Sequence, residues 1–121
     1  VDDARPIFLQ VAEKVENDII SGVLPEDSQI PSTNDFAAFL RINPATAGKG
    51  VNLLVDSGIL YKKRGIGMFV SPGAKDQILA ERRERFRADY ILPIVAEAAK
   101  LGISPRDLAG MIDVADLGAV R

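Results

Sequence analysis

Three short clusters hold the side chains that could do chemistry in this sequence. Ser32, Thr33 and Asn34 open one helical pattern, and Asn43, Ala45, Thr46 and Lys49 open the next, with Arg41 between the two. Downstream, Lys62, Lys63, Arg64, Gly65 and Gly67 make a cationic tip with glycines in it. Amides, hydroxyls and cations at helix starts bind phosphate oxygens and base edges. Glycines let a backbone approach a ligand closely. The sequence has no histidine and no cysteine, which removes the commonest general base and the thiolate metal ligands together. No nucleophile–base pair, carboxylate constellation or phosphate-binding loop can be assembled, so neither an enzyme nor a cofactor is expected. The pattern suits a nucleic-acid duplex.

Net charge is −2 over 121 residues, which by itself opposes binding to a polyanion. Its distribution changes that. Residues 1–40 set Arg5 and Lys14 against Asp2, Asp3, Glu13, Glu16, Asp18, Glu26, Asp27 and Asp35. Residues 41–74 set Arg41, Lys49, Lys62, Lys63 and Arg64 against Asp56 alone. A basic segment inside an acidic chain can focus a positive field on one face, though cations also serve merely to solvate a surface. No apolar run approaches the ~20 residues of a membrane span, and nothing resembles a signal peptide. A soluble cytoplasmic protein is the expectation.

Elements that would position these clusters follow from periodicity and caps. Pro6 to Ser21 reads as a helix with Phe8, Val11, Val15 and Ile19 on one face, stopped by Gly22. A turn-bearing connector follows, with Ile30 as a very short strand. Ser32 with Asp35 three residues on makes an acidic capping box, and Phe36, Ala37, Phe39 and Leu40 supply the buried face of a two-turn helix ending near Arg41. Asn43 caps the next helix with Pro44 in its first position. Ala47, Val51, Leu54 and Val55 point inward there, and Ala45, Thr46, Lys49 and Asn52 point outward. Gly48 and Gly50 each weaken a helix interior by about 1 kcal/mol, so close approach of another surface is their expected reason. Ile59–Lys62 and Met68–Val70 read as two short strands around the basic tip. Two capped helices across a very short connector, then such a hairpin, make a winged helix.

After Pro72 and Gly73 the chain is helical again from about Lys75 to Lys100, with Pro93 expected to bend or break it near Leu92. Gly102 stops it, and Ser104 and Pro105 start a last helix. Phe86, Tyr90, Ile91, Ile94, Val95 and Leu101, then Leu108, Met111 and Ile112, make an apolar face wider than one partner requires. Packing against a second copy is expected, with packing on the chain's own winged domain as the alternative. The fold class is mainly α with a small β-hairpin, a winged helix-turn-helix at 1–73 followed by a two-helix dimerisation tail at 74–121. A protein-interaction or assembly module remains the competing function, and the cations of the tip weigh against it.

PIFLQVAEKVENDIISGVL, IPSTNDFA, INPATAGKGVNLLVDSGIL and KKRGIGMFV together resemble, in order and without gaps, the DNA-binding domain of GntR-type bacterial transcription regulators. The INPAT stretch and the short tail resemble the YtrA subfamily. That resemblance implies a homodimeric winged-helix repressor on an inverted-repeat DNA operator, often near transporter operons. Any small-molecule effector would sit at the dimer interface or between tail and winged domain. It also implies DNA contacts from Ser32, Thr33, Asn34, Arg41, Asn43, Ala45, Thr46, Lys49 and the wing. Asn34 stands where the family usually has arginine, and the familiar Pro-Gly turn before the second helix is replaced by Glu26 and Asp27.

Overall fold

The computed structural model describes residues 5–120; Asp2 and Asp3 of the acidic N-terminal segment lie outside them. The chain forms two compact units, Val1–Ala80 and Glu81–Arg121. The division falls inside a helix rather than at the Pro72–Gly73 turn, because Ala74 and Ile78 of that helix are fully buried in the first unit's core.

In the first unit, α1 (Ile7–Ser21), α2 (Thr33–Leu40) and α3 (Pro44–Asp56) enclose Val11, Val15, Ile19, Phe36, Ala47, Val51 and Leu54. Gly22 ends α1 in the left-handed region at φ 87°. Strands β1 (Leu60–Lys63) and β2 (Gly67–Val70) pair antiparallel with Leu60 opposite Val70 and Lys63 opposite Gly67. Ile59, Leu60 and Val70 close the core from that side. The connector before α2 lies along β2: the Ile30 N–H donates to the Met68 carbonyl (2.9 Å) and the Asp27 N–H to that of Val70 (2.7 Å). The strand expected at Ile30 is a single bridge between Gln29 and Phe69. The turn that enters it has its Ser28 N–H on the Pro25 carbonyl and Asp27 at φ 64°. Asp27 thus holds the left-handed position a glycine normally takes, a conformation aspartate tolerates better than most residues.

Two sequence expectations fail here for geometric reasons. Phe39 is 78% exposed. Phe36, Ala37 and Leu40 set the middle of the inward stripe on α2, and at 3.6 residues per turn Phe39 falls roughly 110° away from it. Phe8 is only half-buried, since α1 meets α3 through a smaller residue. A Cβ on Gly50 would stand 2.5 Å from the Phe8 carbonyl oxygen and 2.8 Å from the Val11 Cβ. The close surface that accounts for Gly50 is therefore α1 itself.

The helix that crosses the division, α4 (Ala74–Phe86), runs without a break through a π turn at Arg87–Ile91 into α5 (Leu92–Lys100). Pro93 neither ends the helix nor interrupts its dihedrals. The widened turn just before it takes up the hydrogen bond and the space that a proline ring denies an α-helix. In the second unit, α5 joins α6 (Pro105–Val120) after Gly102, at φ 74°, with the Ser104 hydroxyl accepting from the Asp107 N–H (3.1 Å). Ala98 is buried, and Ile91, Ile103 and Leu108 are half-buried. Phe86, Tyr90, Ile94, Val95, Leu101, Met111 and Ile112 stay exposed within this unit, as do Leu92, Val114 and Leu117. Among the described residues no helix is long and apolar enough to cross a membrane.

Candidate nucleic-acid interface

Both helix starts are built as the residue types require. The Ser32 hydroxyl accepts from the Asp35 N–H at 3.1 Å and the Asn43 carboxamide oxygen from the Ala45 N–H at 2.7 Å. The cap commits the Asn43 acceptor to helix geometry and leaves its two amide donors available. Asn34 is exposed, and Thr33 is half-buried with its methyl 3.4 Å from where a Cβ on Gly48 would stand. Arg41 closes α2 in the left-handed region (φ 56°, ψ 51°) and directs the chain into α3 within three residues. Such a conformation is costly for a residue with a Cβ, and glycine or asparagine is usual there.

On α3, Ala45 and Lys49 are exposed and Thr46 is half-buried, on the face opposite Ala47, Val51 and Leu54. The Lys49 ammonium rests 4.0 Å from the centre of the Phe8 ring. A ring face attracts a cation by about 0.5–1 kcal/mol at an exposed site, weak enough for a base or phosphate to displace. Phe8 thereby becomes a rest for the Lys49 side chain. Ala45, Gly48, Lys49, Asn52, Leu53 and Asp56 line an open groove with Phe8.

At the hairpin, Lys62, Lys63 and Arg64 are all exposed. Lys63 and Gly67 belong to the paired strands rather than to the loop between them. Tyr61 and Phe69 stack across the strands with centroids 5.6 Å apart, and the Lys63 ammonium lies 4.4 Å from the Phe69 ring centre. The Tyr61 hydroxyl donates to an Asp27 carboxylate oxygen at 3.0 Å. Partial burial, then this bond and the Asp27 charge, raise the phenol's pKa above its ordinary value of 10.0. Gly65 has φ 75°, and the Ile66 N–H returns to the Lys63 carbonyl at 3.0 Å, which makes a tight turn requiring glycine at its third position. The Gln29 amide donates to the Ile66 carbonyl at 3.0 Å. Sequence reasoning marked neither Gln29 nor Phe8 as part of this surface. A glycine at 67, where a Cβ would come 2.5 Å from the Gln29 amide nitrogen, was the one available hint.

A short helix pair whose second member begins at an Asn-Pro cap, beside a tethered cationic hairpin, defines a winged helix-turn-helix, a module that reads duplex DNA. The model for "Bacterial regulatory proteins, gntR family" matches residues 8–70, and the chain belongs to that family. It is 34% identical over 74 residues to the HTH-type transcriptional repressor NagR of Bacillus subtilis, covering 61% of this chain but only 30% of NagR. It is 24% identical over 100 residues to the HTH-type transcriptional repressor YtrA of the same organism, covering 83% of this chain and 76% of YtrA. Among solved structures, a transcriptional regulator of the GntR family from Bacteroides thetaiotaomicron superposes with a TM-score of 0.80 at 31% identity, over 93% of this chain and 98% of that one. The DNA-binding domain of AraR in complex with operator ORX1 superposes with a TM-score of 0.53 at 31% identity, over 55% of this chain and 81% of that one. These relatives are regulators, not enzymes.

Proposed function

We propose that this chain is a homodimeric repressor of the YtrA type that occludes a promoter by binding an inverted-repeat operator. The observation that carries the proposal is the arrangement within the first unit. The Asn43-capped start of α3, with Ala45, Thr46 and Lys49 outward, lies in the same compact fold as a wing whose Lys62, Lys63 and Arg64 are exposed. Helix α3 enters a major groove, where lysine favours guanine and an alanine methyl meets the thymine methyl. The Thr33 and Asn34 N–H groups at the start of α2 hold a phosphate, with Ser32 and Arg41 beside them. At α3, where Pro44 has no N–H and those of Ala45 and Thr46 are taken by Asn43, the Asn43 side-chain amide makes that contact instead. The wing follows the neighbouring minor groove, Gly65 letting its backbone approach while the space at Gly67 is taken by the Gln29 amide.

Two reading heads come from two copies. The second unit leaves Phe86, Tyr90, Ile94, Val95, Leu101, Met111 and Ile112 exposed, more apolar surface than a two-helix unit can cover alone. Ile91 and Leu108, half-buried inside the unit, border this face. A two-fold pair spaces its half-sites by about one helical turn or a multiple of it. On the likeness to YtrA-type regulators we assign the operator to a transporter operon, and any small-molecule effector would act at the contact between copies. Gel-shift of genomic fragments at moderate salt, with sedimentation of the free protein, tests both halves. Retarded fragments sharing an inverted repeat, and a two-chain mass, are expected. Binding that ignores sequence, or a monomer at micromolar concentration, would overturn the proposal.

A further inference from the structure

Ile66 stands in the three-residue loop at the end of the wing, between Gly65 and Gly67, 63% exposed beside cations. Isolated exposed apolar residues are ordinary. This one differs in being held at both of its backbone groups. Its N–H is held by the Lys63 carbonyl, and its carbonyl accepts from the Gln29 amide at 3.0 Å. Gln29 is itself bridged to Phe69 of β2. Gly67, at φ 149°, leaves the space that the Gln29 amide occupies. Lys63 is turned back over Phe69, which leaves Arg64 in the loop beside Ile66 and Lys62 on β1 as the other exposed cations of the hairpin. A hairpin loop with no task beyond phosphate contact needs neither an exposed apolar residue nor a side-chain tether to hold it.

We propose that Ile66 reads the floor of the minor groove and selects A·T pairs beneath the wing, with Gln29 as its positioning residue. This rests on the docking proposed above. In the minor groove A·T and T·A pairs show only acceptors on the floor, whereas a G·C pair raises the guanine N2 amine from it. A branched aliphatic side chain cannot pair with that amine and is lifted by it, which leaves a polar group desolvated and shortens the reach of Lys62 and Arg64 to the phosphates. Discrimination therefore arises by exclusion rather than by hydrogen bonding.

The test uses the full chain and a duplex enriched by it from a random-sequence library. The pairs under the wing are exchanged first to G·C and then to I·C, inosine lacking the N2 amine. G·C is expected to weaken binding about tenfold, within the usual cost of one wrong pair, and I·C to restore it. Ile66→Ala and Gln29→Ala are expected to lose most of the G·C penalty while keeping the salt dependence set by Lys62 and Arg64. A bystander role for Gln29 would leave the G·C to I·C ratio unchanged. An enriched duplex that tolerates G·C, or a penalty that persists in Ile66→Ala, overturns this inference alone. A library that yields no enriched duplex overturns it together with the docking beneath it.

Discussion

Gly48 and Gly50 lie two residues apart on α3 and should respond in opposite senses to the same methyl group. Alanine favours a helix interior by about 1 kcal/mol over glycine, and at Gly48 little opposes that gain. The nearest atom to the new Cβ is the Thr33 methyl at 3.4 Å, the mobile end of a side chain. At Gly50 the Cβ would meet the Phe8 carbonyl oxygen at 2.5 Å and the Val11 Cβ at 2.8 Å, both tied to the α1 backbone. Ordinary contact needs roughly 1 Å more, so α1 must move off α3, loosening the Val11, Val15 and Val51 layer. Overpacking of this kind costs about 1–3 kcal/mol, and a backbone carbonyl places it at the upper end. Net of propensity, Gly50→Ala is expected to destabilise by about 2 kcal/mol, lowering Tm by about 10 °C. Gly48→Ala is expected to stabilise by up to about 1 kcal/mol. Urea and thermal unfolding followed by circular dichroism at fixed protein concentration separates the two. A Gly50→Ala midpoint at or above that of the parent would refute the account of how α1 and α3 meet.

Arg64→Ala is expected to weaken DNA binding uniformly across sequences and to reduce the salt slope by about one unit, while Thr46→Val changes sequence preference at constant slope; filter binding over a salt series measures both. Arg41→Gly should raise stability by about 0.5–1 kcal/mol by relieving the left-handed strain, yet weaken operator binding through loss of a cation, so unfolding and gel-shift should move in opposite directions. Val114→Glu, at a position 70% exposed within its unit, should leave the fold intact, halve the sedimenting mass and weaken operator binding about a hundredfold through lost avidity. The Tyr61 phenol has a raised folded pKa, so its bond to Asp27 stabilises fully below the unfolded value near 10 and is lost as pH rises through the folded one. The stability difference between the parent and Tyr61→Phe should thus be flat from pH 6 to 9 and vanish in stronger alkali, as pH-dependent urea unfolding would show.

What could be decided from the order of residues alone was whatever depends on neighbours a turn apart. Ser32, Asn43 and Ser104 announce helix starts because a side-chain oxygen reaches an N–H two or three residues on, and Gly22 and Gly102 announce stops because they accept a positive φ. The period of Val11, Val15 and Ile19 and the cationic glycine tip were legible for the same local reason. Contacts between distant segments were not. That Gly50 makes room for α1, that Phe39 falls outside the buried stripe, and that Asp27 replaces a turn glycine while holding Tyr61 depend on where a second element lies. Lys49 over Phe8 and Gln29 on Ile66 join residues some forty positions apart, and no spacing rule reports such a pair. Pro93 signalled a disturbance, but only the folded helix shows it absorbed as a wider turn. Local hydrogen bonding wrote the elements into the sequence; the packing of those elements chose which side chains are left exposed.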